Sequence, residues 1–106
     1  MKSVNEMLSE IEILESTGDL ATQVGGIQFD SRKVKPGDLF VAVKGTHVDG
    51  HQFIAKAVEL GASAIVCELW PEYIPSGVVV VRIDQTQLNF GKIASAWFNH
   101  PSANLK

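Results

Sequence analysis

Apolar positions along this chain come in short runs separated by turn-forming residues, and the spacing inside each run predicts an element. Val4, Met7, Leu8 and Ile11 recur at helical spacing. Ser3 and Glu6 precede and overlap them as a capping-box pair, so a first helix is expected over about residues 3 to 11. "STGDLATQVGG" reads as a turn-rich connection with room for a short strand. "GIQF" reads as a strand leading into "DSRKVKPGD", where Pro36-Gly37 is a turn dipeptide. "LFVAVK" is a continuous apolar run, the pattern of a strand buried on both faces. "GTHVDG" follows as a loop.

A second helix is expected next. Asp49 stands as its N-cap and Gln52 at the reciprocal capping-box position. Phe53, Ile54, Ala57, Val58 and Leu60 form its apolar stripe, and Gly61 is placed for the left-handed C-terminal position. "SAIVCE" then predicts a strand, "LWPEYIPSG" a loop and "VVVVRI" another buried strand. Asp84 is expected to cap a last helix through about Asn99, with Leu88, Ile93, Ala94, Trp97 and Phe98 facing inward and Pro101 ending it. Runs of Val and Ile alternating with helices argue an α/β fold. A single small domain is expected, with a mixed or mostly parallel sheet covered by helices.

Composition narrows the function. A chain of 106 residues has room for one core, and its 45% hydrophobic and 20% charged content is that of a globular domain. A net charge of -3 without a basic patch argues against nucleic acid. No apolar run is long enough to span a bilayer, and "MKSVNEMLSEIEILE" lacks the features of a secretion signal. The single cysteine, Cys67, lies inside an apolar run. It reads as a buried, inert thiol in a reducing, cytoplasmic setting.

Several chemistries find no support. There is no GxxxxGK(S/T) loop for ATP and no GxGxxG after a strand. Gly25-Gly26 precedes a strand and reads as a turn. His47 and His51 have the spacing of two helical metal ligands, but His47 precedes the helix and no further ligand is near, so no metal site is expected. No spacing makes Ser31 part of a catalytic dyad, and no catalytic residue is assigned. Phe29, Phe40 and Phe53 fall on apolar faces and read as core.

What remains is a pair of loops. "FDSR" and "KGTHVDG" each begin where an apolar run ends, and ligands of open α/β sheets bind beyond the carboxyl ends of the strands. If the two strands are parallel neighbours, the loops flank one crevice that also holds the start of the Asp49-capped helix. Ser31 and Thr46 would bring hydroxyls there, and Arg32, Lys44 and His47 donors, a set suited to a phosphorylated small molecule. The competing reading pairs Arg32 with Asp38 to pin the Pro36-Gly37 turn, with Ser31 a local turn former. For Arg32 and Asp38 alone the structural reading is preferred; for the two loops together, the ligand.

At these same residues, "DSRKVKPGDLFVAVKGTHVDGHQFIAKAVELGASAIVCE" resembles the N-terminal domain of the Mur ligases, and most of all the MurE type. The pattern is DSR, PGDLF, G, DGH-F, A and GA-A in order, and "GKIASAWFNHPSANLK" is similar to the MurE segment that leads into a central domain. The resemblance implies the part of an ATP-dependent ligase that holds UDP-N-acetylmuramoyl-L-alanyl-D-glutamate while a third amino acid is added during peptidoglycan synthesis. It implies substrate contacts from Phe29 and Ser31 and from Thr46, His47 and Val48 in the second loop, with Arg32, Asp38 and Asp49 in support. It further implies that ATP and Mg2+ belong to a central domain of the parent protein, with a third domain for the amino acid. The sequence stops at Lys106, before the expected phosphate-binding loop, so the resemblance implies an excised domain without activity of its own. The equivalent domain of the MurF type, or a stand-alone nucleotide-binding or interaction module, is the alternative.

Overall fold

The computed structural model describes residues 2–9, 11–43, 53–71 and 77–98. Its centre is a five-stranded sheet in the order β2-β7-β6-β5-β4, where β2 is Ile13–Thr17, β4 Gly26–Gln28, β5 Asp38–Val41, β6 Ala64–Cys67 and β7 Val79–Ile83. β4, β5, β6 and β7 are parallel, and only β2 runs antiparallel, on β7. The expected mixed, mostly parallel α/β sheet is therefore what forms. β1 (Lys2–Ser3) and β3 (Gln23–Val24) make a separate antiparallel pair.

The Val- and Ile-rich runs are buried on both sides, as such runs should be. Leu39, Val41, Ala64, Val66, Val79, Val81 and Ile83 point to one face, under α1 (Val4–Met7) and α3 (Thr86–Phe98). Phe40, Ala42, Ile65, Cys67 and Val80 point to the other, under α2 (Ile54–Glu59) and Val34.

Local signals are fulfilled unevenly. The first capping box is present: the Glu6 amide donates to Ser3 Oγ at 3.2 Å, and the Ser3 amide donates to Glu6 Oε1 at 3.1 Å. α1 is shorter than expected, ending at Met7, because the chain must turn into edge strand β2; Leu8 and Ile11 reach the core from that turn. Asp49, the expected cap of α2, lies outside the described residues. The helix starts at Ile54 with Phe53 in the N-cap position and no side-chain cap bond. Gly61 does take the left-handed position after α2, at φ +105. Asp84 does not cap α3: Gln85 precedes the helix, at φ +53, and its carbonyl accepts from Leu88 and Asn89. Leu88 is 73% exposed instead of facing the core, while Ile93 is fully buried and Trp97 packs beside it.

The glycines and Asp38 explain the N-terminal edge of the sheet. The Lys35–Asp38 turn closes with the Asp38 amide donating to the Lys35 carbonyl at 3.0 Å, and Gly37 has φ +90. Asp38 Oδ2 accepts from the Lys35 amide at 2.9 Å. The same carboxylate lies over Gly26, where a Cβ would meet Asp38 Oδ1 at 2.8 Å. Gly37 donates to the Gly61 carbonyl and accepts from the Gly25 amide, both at 2.9 Å. Much of the "GG … PGD … GA" pattern is thus turn chemistry that locks β4, β5 and α2 together at this edge.

Candidate functional site

The opposite, carboxyl edge of the sheet carries the candidate site. β4 and β5 are parallel neighbours, with Gly26 paired to Asp38 and Gln28 to Phe40. The loops that leave them at Phe29 and after Val43 therefore start side by side, as the crevice reading required.

After β4, Asp30 caps a 3-10 turn over Ser31–Lys33, its Oδ1 accepting from the Arg32 amide at 3.0 Å. The Arg32 guanidinium folds back onto the same carboxylate, Nε to Oδ1 at 3.1 Å and Nη2 to Oδ2 at 2.9 Å. These Arg32 side-chain and amide bonds hold the Asp30 carboxyl down to about 2, and the carboxylate raises Arg32 in turn. The expected Arg32–Asp38 pair does not form. Arg32 is engaged by its neighbour two residues back, and Asp38 lies at the other end of β5, occupied by its own turn. Asp38 is consequently a structural carboxylate remote from the crevice.

Ser31 is only 4% exposed. Among the described residues nothing hydrogen-bonds its hydroxyl, although the turn around it is fully bonded through the backbone. A buried hydroxyl normally finds a partner, so this one is an open donor and acceptor at the carboxyl end of β4. Phe29, one of the residues read as core, is instead 38% exposed. Its ring meets Phe90 of α3 edge-to-face, with centroids 5.4 Å apart and planes at 77°. Phe53, also expected in the core, is 38% exposed, whereas Phe40 is buried. Thr46, His47, Val48 and Asp49, with Lys44, lie outside the described residues.

Two participants escaped the sequence reading. Phe90 is one, although it stands at 90, 93, 94, 97 spacing with Ile93, Ala94 and Trp97; choosing that stripe would have replaced Leu88 by Phe90. Glu68 is the other. Its Oε2, at the end of β6, accepts from the Thr86 amide at 3.1 Å and the Thr86 hydroxyl at 2.7 Å, at the start of α3. The positive end of α3 is therefore already matched by a carboxylate. No local signal marks a cap that comes from another strand. Cys67 takes no part: it is buried, its Sγ lies 3.6 Å from the Val81 carbonyl, and burial pushes its thiol up to about 12. Among the described residues no group of three or more His, Cys, Asp or Glu side chains could hold a metal, and no helix is long and apolar enough to cross a membrane.

The domain is a mixed, mostly parallel α/β sheet whose β4 and β5 loops start side by side, the first carrying a buried Ser31 and a half-exposed Phe29. The chain belongs to the Mur ligase family: its residues 23–97 match the Mur ligase family, catalytic domain. It is 38% identical over 103 residues to the UDP-N-acetylmuramoyl-L-alanyl-D-glutamate--2,6-diaminopimelate ligase of Phocaeicola vulgatus, covering 97% of this chain and 21% of that protein. The ligase of the same name from Bacteroides thetaiotaomicron is 36% identical over the same shares. The fold matches that of a UDP-N-acetylmuramoylalanyl-D-glutamyl-2,6-diaminopimelate--D-alanyl-D-alanyl ligase from Acinetobacter baumannii, with a TM-score of 0.72, 24% identity, and coverage of 90% of this chain and 21% of that one. The chain thus spans about a fifth of the length of the curated relatives it matches.

Proposed function

We propose that this chain is the N-terminal, UDP-substrate-holding domain of a cytoplasmic MurE-type ligase, which adds the third amino acid to UDP-N-acetylmuramoyl-L-alanyl-D-glutamate. The observation that carries the reading is the buried Ser31 hydroxyl, without a partner among the described residues, at the end of β4, beside the end of β5. The MurE-type relatives support this type over MurF, because they match nearly the whole chain at higher identity than the A. baumannii structure.

In this reading Ser31 hydrogen-bonds the uridine diphosphate end of the substrate and Phe29 supplies an apolar wall for its base. Thr46, His47 and Val48 complete the pocket from the second loop. The Asp30–Arg32 pair keeps the 3-10 turn in shape and the Ser31 hydroxyl in place. Activating the substrate carboxylate requires ATP with Mg2+, and the sequence has no Gly-rich loop followed by Lys and Ser/Thr to cradle the phosphates. That chemistry is assigned to the central domain of the parent ligase, which would pack against this one.

An NMR titration of the chain with UDP, and with the full UDP-sugar dipeptide, tests the assignment. Shifts are expected at Phe29–Arg32 and along residues 45–50, and Ser31→Ala should weaken binding by about 0.5 to 1.5 kcal/mol without unfolding the domain. Shifts confined to another surface, or none at millimolar UDP, would overturn it.

A further inference from the structure

Phe29 and Phe90 form an aromatic pair with both rings at the surface, 38% and 41% exposed. An exposed phenylalanine ordinarily samples several rotamers, and a wall for a flat ligand needs one. Phe29 leaves β4 at the lip of the crevice with Ser31 two residues on, and Phe90 reaches it from the second turn of α3. The contact is edge-to-face at 5.4 Å and 77°, the geometry that aromatic quadrupoles favour, and it restricts how the Phe29 ring can turn. α3 is itself fixed: Ile93 is fully buried in the core beneath it, and Thr86 at its start is held by Glu68. The ring therefore leans on a rigid element and not on another loop.

We propose that Phe90 is a positioning residue for the base end of the bound nucleotide, orienting Phe29 so that the exposed part of its ring receives a planar heterocycle. The inference rests on the substrate reading above. It adds a selectivity element: the Ser31 side of the crevice grips the diphosphate and the Phe29–Phe90 side the base, so the two grips are separable.

The test compares UDP with inorganic pyrophosphate on the wild-type chain and on Phe90→Ala, Phe90→Leu and Phe90→Tyr, by calorimetry and by chemical shifts of the Phe29 ring. Phe90→Ala should weaken UDP about tenfold while leaving pyrophosphate within about twofold, and the Phe29 ring signals should collapse toward averaged values. Phe90→Tyr should restore UDP binding; Phe90→Leu, which keeps the apolar bulk without the ring edge, should restore fold stability but not UDP preference. Circular dichroism on each variant identifies any loss of α3. Unchanged UDP affinity in Phe90→Ala, equal losses for UDP and pyrophosphate, or full rescue by Leu would each overturn the proposal. If wild-type protein binds no UDP at Phe29–Arg32, it is the substrate reading that fails.

Discussion

At the scale of single residues, the candidate site depends on one short turn. Asp30 uses one carboxylate twice, as cap for the Arg32 amide and as bidentate partner for the Arg32 guanidinium. Both side chains are solvent-exposed, at 84% for Arg32 and 35% for Asp30, so the pair shapes the turn more than it stabilises the fold. Its pH dependence has a definite sign. The folded carboxyl titrates at about 2, below its ordinary 3.8, so the contribution is fully present above 3.8 and fades as pH falls toward 2. A carbon-detected titration of the Asp30 carboxyl should give a midpoint near the lower value, and Arg32→Ala should move it back up toward the ordinary one. A wild-type midpoint at the ordinary value would show that the guanidinium is not held there in solution. The sequence reading paired Arg32 with Asp38, and the structure pairs it with Asp30. A turn former can be placed from its neighbours, but which carboxylate a long flexible guanidinium selects depends on reach, and Asp30 is nearer than Asp38.

At the scale of elements, the helices show how far capping rules extend. Ser3 and Glu6 form their box because both partners belong to the same four residues. α3 is instead capped across the sheet, by Glu68, 18 residues before Thr86. Glu68→Ala should therefore cost about 1 kcal/mol of stability in a urea melt, and Asp84→Ala close to nothing, the reverse of what the sequence around α3 suggests. Equal effects from the two substitutions would return the cap to Asp84. The strands were more legible. "SAIVCE" and "VVVVRI" each enclose an observed strand and "LFVAVK" overlaps β5 over Leu39–Val41, because burial on both faces imposes an apolar run without alternation. β2 was not legible in the same way. It is an edge strand with only Ile13 partly covered, so its sequence "ILEST" carries little pattern.

At the scale of the whole molecule, the two edges of the sheet divide the labour. The amino edge is occupied by the Gly25, Gly37 and Gly61 backbone bonds and the Asp38 carboxylate over Gly26. At the carboxyl edge Glu68 holds the start of α3, and Ser31 and Phe29 stand where the chain leaves β4. On the proposed reading this chain holds the substrate and transfers no phosphoryl group. Incubated with ATP, Mg2+ and the UDP-sugar dipeptide, the chain should release no ADP above a protein-free control, whereas the complete parent ligase with its amino acid should. Magnesium-dependent ADP release by this chain alone would mean that catalysis does not need the separate ATP-binding domain.

The sequence by itself determined the α/β class, the buried strands, the first capping box, the Pro36-Gly37 turn and the glycine that ends α2. Each of these follows from steric and solvation rules that act within a few residues or within one element. Only the tertiary structure decided that β4 lies beside β5 and so brings the two loops together, that Asp38 covers Gly26, that Glu68 holds the start of α3, and that Phe90 meets Phe29. Those contacts join residues distant along the chain, and strand order and crossover paths, which no local rule encodes, bring them within reach.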